Sequence, residues 1–537
     1  MRQSSNGIRT VSACGVEAVA TGDAFVRRSS GLVRNISARD ALILNVMFMA
    51  PTAIFVYGIW GAGSYPGINL PVTALLAIPI SLVVGLFYAL YSVAMPRSGG
   101  DYIWVSRTMH PTVGFAINFF LFIGLLSVAG AYVPWFTQLA LAPLLYYNGF
   151  PGLATTVSTN EFTFVAAIFV YLAMALIVSR GGKATARALE VLFALVFIGL
   201  IVYVVTLLGV GHDGFVSNFN RLSGMNYSDF VTVGVGAGYV GEIIGGATAL
   251  GLAFTYINFL GFNATIYAAG EIKDVQKSQM TAILGSVVVF GIITFVAYAV
   301  TDFVMGGAFI QGAGSIFAGT GSSSLPYPPY MTILFRYATD SVWVFNIVMI
   351  GWTAMVLAAI LTYVAITVRF IFAWSFDRVI PAAFSRLDRK HNSPYLALAL
   401  VTVVAIILQW AWLYTIFLTF FLYLVFGWMI MQIIGAISAF LLPSRRKDVW
   451  DRAPAIVRAK IGPIPVLYLL AIATVGLSVW IAWGSLPISL GQSLNLSILA
   501  FTVGLFVLGG IIHIVSWLWH NARGIPLSLA FKEIPPE

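Results

Sequence analysis

Two short stretches carry residue types that could hold a ligand. Ala50-Pro51-Thr52-Ala53-Ile54-Phe55 and Asn258-Phe259-Leu260-Gly261-Phe262-Asn263 each interrupt a long apolar run. Pro51 has no N–H and its ring clashes with the carbonyl four residues earlier, so Met47 is expected to lose its helical partner and offer a free carbonyl. Beyond the proline, the amides of Thr52 and Ala53 start a new half-helix, where unpaired donors and the helix dipole favour a carboxylate. In the second stretch Gly261 removes a side chain beside Asn258 and Asn263, two amides that are costly in an apolar medium without partners. The chemistry is reversible binding rather than bond making. A plain proline kink in the first stretch, and asparagines bonded to neighbouring helices in the second, are the alternatives.

No enzyme constellation is visible. His110, His212, His391, His513 and His520 are scattered without metal-ligand spacing. The glycine-rich patches lack the ordered lysine and threonine of a phosphate-binding loop. Cys14 is the sole cysteine, which excludes an intrachain disulfide and a cysteine-built metal site. Arg97, Asp101 and Arg369 read as ion-pair partners at a gate rather than as catalysts. No cofactor is expected.

The elements that must position the two stretches follow from composition. The 537 residues are 60% hydrophobic and 9% charged, with a mean hydropathy of +0.94, far from the soluble norm. Twelve windows of 18 or more nearly charge-free residues lie between 41 and 519, each able to cross a bilayer core that takes about 20 helical residues. With both termini on the cytoplasmic side, 26 of the 28 Lys and Arg residues fall inside and only Arg221 and Arg336 outside. The formal charge of +9 then belongs with anionic lipid headgroups rather than nucleic acid. The N-terminal tail (1–40) is polar, which argues against a secretory signal peptide; it and the C-terminal tail (520–537) are expected to be poorly ordered. The transporter-like region is a single membrane domain. Its first five spans (about 41–210) and next five (about 247–442) would form halves of opposite orientation, followed by two extra helices (about 464–519). The long loops 211–246 and 302–342 fall outside, and the glycine and serine content of the second predicts irregular structure.

Several motifs resemble one family. Met95-Pro96-Arg97-Ser98-Gly99-Gly100-Asp101-Tyr102 with Ser106-Arg107-Thr108-Met109-His110-Pro111 is similar to the loop between the second and third helices of the amino acid-polyamine-organocation (APC) superfamily of permeases. Gly261-Phe262-Asn263, Ala269 to Asp274, and Arg369 to Phe384 resemble its sixth helix and the exit from its eighth. The resemblance covers most of the first ten spans. It implies an all-α membrane protein with the leucine-transporter-like 5+5 inverted repeat, a small-molecule substrate and transport by alternating access. It also implies that the Thr52 and Ala53 amides bind a carboxylate, that the carbonyls of Met49, Ile257 and Leu260 receive an ammonium group, and that Phe259 and Tyr132 act as aromatic gates. Proline and alanine stand where the family has glycines in the first break, and Asn263 where it often has glutamate.

The centres of the spans contain no Asp, Glu, Lys or Arg. A zwitterion can be held by half-helix ends alone, so neutral amino acids fit best. The same absence weakens a proton relay, while sodium needs only neutral oxygens, for which the resemblance offers Met47, Ala50 and Thr362. Sodium coupling, proton coupling and exchange all stay open. A polyamine or other organic-cation carrier, and an amino-acid sensor that does not transport, are the competing functions.

Overall fold

The computed structural model describes residues 34–241, 245–417, 424–484, 496–525 and 527–532. Most of the N-terminal tail expected to be poorly ordered therefore lies outside the described residues, whereas most of the C-terminal tail is described and ends in a 3-10 turn over Leu527–Phe531. Within them the chain is helical apart from one two-stranded hairpin, Lys460–Ile461 with Ile464–Pro465. The helices are α1 (Ala38–Phe48), α2 (Ile54–Ser64), α3 (Leu70–Ala94), α4 (Asp101–Thr108), α5 (Pro111–Pro134), α6 (Ala142–Tyr147), α7 (Pro151–Val157) and α8 (Asn160–Ser179). There follow α9 (Gly182–Ser223), α10 (Tyr227–Gly236), α11 (Gly246–Ile257), α12 (Val275–Met305), α13 (Gly307–Phe317), α14 (Met331–Arg336), α15 (Val342–Phe376) and α16 (Tyr395–Tyr414). The last four are α17 (Leu424–Arg445), α18 (Lys447–Arg452), α19 (Val466–Gly484) and α20 (Leu496–Ala522).

Among the described residues, eleven helical stretches are long and apolar enough to cross a membrane, and α11 is a shorter apolar helix. The sixth expected span is thus not continuous: α11 stops at Ile257 and the chain resumes as a 3-10 turn over Ala264–Glu271. Local chemistry sets several starts. Ser37 caps α1 through a capping box with Asp40, donating its N–H to Oδ2 at 3.0 Å and accepting the Asp40 N–H at 3.2 Å. Asn69 caps α3 by accepting the Val72 N–H, with Pro71 in the first turn where its missing donor costs nothing. α15 is buried over most of its length from Gly351 onward, while its start exposes Trp343, Ile347 and Ile350.

The loop 302–342 is irregular only in part: 318–330, with its glycine- and serine-rich stretch, has no helix, while the rest is ordered. It holds α13 and α14, and α13 packs against both α2 and α10. Glycines permit this: a side chain on Gly234 would collide with the Ala308 carbonyl, one on Gly312 with the Phe230 carbonyl, and one on Gly63 with Gly314. Part of the composition that suggested irregular structure supplies a close backbone-to-backbone contact instead. Gln311 seals it, donating to the Ala62 carbonyl at 2.7 Å and accepting from the Gly67 N–H at 3.0 Å.

Candidate functional site

The first break lies where the sequence placed it. α1 ends at Phe48, Ala50 adopts a left-handed conformation (φ 55°, ψ 76°), and Pro51–Ala53 form one 3-10 turn before α2. The residue before a proline is driven out of the right-handed helical region, and a non-glycine residue with positive φ costs about 1–3 kcal/mol, which the surrounding packing must hold. The second break spans 258–263, with Gly261 at φ 118°. A Cβ on Gly261 would collide with the ring of Phe48. The glycine therefore lets the two breaks touch rather than opening a cavity.

A cavity of about 470 Å³ lies beside the breaks. Phe48 and Met49 border it from the first, and Ile257, Asn258 and Leu260 from the second. Its remaining wall is aromatic and apolar apart from Gln138, including Tyr57, Trp60, Tyr132, Trp135, Tyr363 and Trp428, and among the described residues no Asp, Glu, Lys or Arg lines it. The rings brace one another: Tyr132 meets Trp135 edge-on at 4.9 Å, and Phe48 meets Tyr363 edge-on at 4.7 Å. Trp135 stacks on the wholly buried Trp352 at 5.7 Å. Asn258 Oδ1, in the wall, and Thr52 Oγ1, at the first break, are buried without a hydrogen-bond partner. Such orphan acceptors are rare unless a ligand or water meets them. A larger cavity of about 610 Å³, bounded by His110, His513 and Phe531, touches neither break.

The candidate residues do not all meet at this cavity. Phe259 and Asn263 are buried elsewhere. The Phe259 ring packs edge-on against Phe290 at 5.0 Å, which removes it from the expected gate. Ala53 lies behind the wall, its N–H closing on the Ala50 carbonyl at 2.9 Å. Of the cation candidates, the Met47 carbonyl is not free: one residue nearer than the lost partner, the Ala50 N–H reaches it at 3.2 Å because the left-handed turn folds back. The Thr362 hydroxyl donates to the Ala359 carbonyl of its own helix at 2.8 Å.

The face carrying the N-terminus is closed below the cavity. Asn45 donates to Thr265 Oγ1 at 3.2 Å and accepts the Thr265 N–H at 2.9 Å; Thr265 donates to Gln279 Oε1 at 2.8 Å. This clasp ties the half-helices of both breaks to α12. Arg369 grips Glu271 with two bonds of 2.6 and 2.9 Å, and the N-terminal strand residues Asn35 and Ile36 donate to the Glu271 carbonyl. Arg107 and Asp377 form an ion pair at 2.7 Å, with both side chains almost fully buried. Asp101 departs from the expected ion pairing: its partner is the Tyr267 hydroxyl at 2.9 Å. Asn45, Thr265, Gln279 and the Arg107–Asp377 pair were not singled out from the sequence. A lone Asn within an apolar helix and a Gln four residues into the next span were the available signals.

The chain matches the amino acid permease family over residues 41–507. The helices broken around an uncharged cavity and this match together define a membrane transporter rather than an enzyme, and the chain belongs to the amino acid permease family. It is 24% identical to a methylthioribose transporter of Bacillus subtilis, over 70% of this chain and 75% of the relative. It is 25% identical to a branched-chain amino acid permease of the same bacterium, over 68% and 72%. It is 24% identical to a chloroplastic cationic amino acid transporter of Arabidopsis thaliana, over 71% and 62%.

Proposed function

We propose that the protein is a twelve-span secondary transporter of the cell membrane, with both termini cytoplasmic, that moves neutral amino acids by alternating access. Bulky apolar side chains suit it best. The observation that carries the reading is the cavity beside the two breaks, walled by Trp, Tyr and Phe and free of ionised side chains. A cationic side chain would need a carboxylate there and an anionic one a guanidinium, since an unpaired charge in an apolar site costs several kcal/mol. A zwitterion brings its own pair. Its ammonium group has Asn258 Oδ1 and the Met49 and Leu260 carbonyls beside it, the Ile257 carbonyl already accepting the Leu260 N–H at 3.1 Å, and its carboxylate has the start of the half-helix at Thr52. The relatives named for branched-chain amino acids and for methylthioribose have uncharged side groups or solutes, consistent with this wall.

On this reading gating is movement of the broken helices against α5 and α15, which must loosen the bonds that tie α1 to the turn after the second break. The experiment is uptake of labelled amino acids into proteoliposomes under a sodium gradient, a proton gradient or neither. Accumulation of leucine-like solutes under one gradient is expected. Binding without uptake under any condition would instead indicate a sensor, and competition by unlabelled polyamine would indicate an organic-cation carrier.

A further inference from the structure

Asp101 opens α4, between the spans α3 and α5, and is 1% exposed. Among the described residues no cation pairs with it: Arg107, on the same helix, is bound to Asp377, and Arg369 to Glu271. Its Oδ2 accepts from the Tyr267 hydroxyl at 2.9 Å, while Oδ1 has no hydrogen-bond partner. A Cβ on Gly435 of α17 would stand 3.8 Å from Oδ1 and 4.0 Å from the Tyr88 hydroxyl, so both oxygens border the space that this glycine leaves. The titratable groups around the carboxyl are Tyr88 and Tyr91 from α3 and Tyr267 from the turn after the second break. On its own helix Tyr102 turns toward Asp377 and Arg107. From α17 come Gly435 and Ser438, and from α5 Phe115, none of which titrates near neutrality.

Two effects oppose each other here. The helix start and the Tyr267 hydrogen bond favour the carboxylate, whereas enclosure without a counter-charge disfavours it. Burial wins, and the carboxyl is pushed up to about 7. Location gives this consequence. Tyr267 also accepts the Gly99 N–H on its carbonyl at 3.2 Å, so two bonds join the corner between α3 and α4 to the half-helix of the second break. Opening that face must loosen them and wet Asp101, which returns the carboxyl toward its ordinary acidity. One face of α17 runs from the cavity toward it. Trp428, in the cavity wall, Gln432 and Gly435 are spaced four and three residues apart on one face of α17, and Gln432 bonds the Tyr256 hydroxyl and Ser478.

We propose that Asp101 is a proton-binding site whose occupancy is coupled to closure of the face that carries the N-terminus: the carboxyl holds a proton on Oδ1 while that face is shut and releases it to water there when it opens. One proton would then cross with each solute, entering through the cavity. The coupling is reciprocal, so a proton favours the closed face as strongly as the closed face favours the proton. This rests on the transport reading above.

The test is solute uptake and lumenal pH, read with an entrapped pH dye, in proteoliposomes of the full chain and of Asp101→Asn, which fixes the neutral state. In the wild type, uptake should acidify the lumen and its rate should fall about tenfold per pH unit above the midpoint. Asp101→Asn should move no protons, lose accumulation driven by a pH gradient, show a flat pH profile, and still exchange internal for external solute. Proton movement with solute in Asp101→Asn, or a wild-type rate unaffected between about pH 5 and about pH 9, would overturn the proposal. Should Asp101→Asn fail to fold, Tyr267→Phe removes the bond that favours the carboxylate and must shift the midpoint upward; an unmoved midpoint refutes the proposal equally. Absence of any exchange in the wild type would sink the transport reading, whereas exchange without pH dependence sinks only the proton site.

Discussion

Replacing Gly261 by alanine adds a single methyl at the point where the two breaks meet. The new Cβ would collide with Cδ1 of Phe48 and lie 3.0 Å from its Cε1, and the backbone there has a φ of 118° that L side chains rarely adopt. The backbone term costs about 1–3 kcal/mol and the overpacking about 1–3 kcal/mol, together about 2–6 kcal/mol. Phe48 can relieve the clash only by moving, and it is held by the edge-on contact with Tyr363 at 4.7 Å in the cavity wall. The substitution should therefore lower thermal stability in detergent and raise the KM for solute together, because the displaced ring enters the cavity. Gly261→Leu should abolish transport. Melting by tryptophan fluorescence and uptake in proteoliposomes measure both effects. Wild-type melting and wild-type KM in Gly261→Ala would refute the reasoning that the glycine exists to bring the breaks together.

Four further outcomes follow. Pro51→Gly should retain transport, because the contact of Phe48 with Gly261 holds the two breaks together without the proline ring and glycine at 51 still permits a broken backbone; loss of uptake would show that the ring fixes the break. Glu271→Gln should destabilise by about 3–5 kcal/mol, since it leaves the largely buried Arg369 without its anion, and a double-mutant cycle with Arg369→Gln should recover most of the loss. Asp101 has a folded-state acidity raised from 3.8 to about 7, so its contribution is fully present below about 4 and is lost as pH rises through about 7. The wild type should lose about 4 kcal/mol of stability relative to Asp101→Asn across that window, readable as a pH-dependent gap in melting temperature. Trp135→Ala should raise the KM for bulky apolar solutes more than for alanine, because it removes the ring that spans Tyr132 and Trp352; equal effects on both would place the solute side chain elsewhere.

The breaks were legible because proline and glycine act locally: Pro51 forbids a helical bond whatever surrounds it, and Gly261 marks a backbone that only glycine adopts without strain. The run of apolar spans was legible because hydrocarbon imposes length and composition. What the chain does with freed groups was not. The Met47 carbonyl finds Ala50 because a left-handed turn folds back, and no spacing rule foresees that. Phe259 and Phe48 are both aromatic residues beside a break, yet only Phe48 faces the cavity, because its partner across the gap is a glycine. The clasp of Asn45, Thr265 and Gln279 joins residues up to 220 positions apart, and a pairing at that distance is set by tertiary packing alone. The glycines of 302–342 were visible as residues, but their role required seeing which backbone each one meets.

The central claim is that a neutral zwitterion is held by the ends of two broken helices in an uncharged aromatic cavity. The most direct measurement is competition against labelled leucine by three unlabelled molecules: leucine, its amide, and the amine that lacks the carboxyl group. Leucine should compete well, and both analogues should lose about a hundredfold or more, the loss of roughly 3 kcal/mol that follows when one charged end of the pair goes unmet. If the bare amine competed as well as leucine, no carboxylate would be bound at the half-helix start, and the site assigned here would be contradicted.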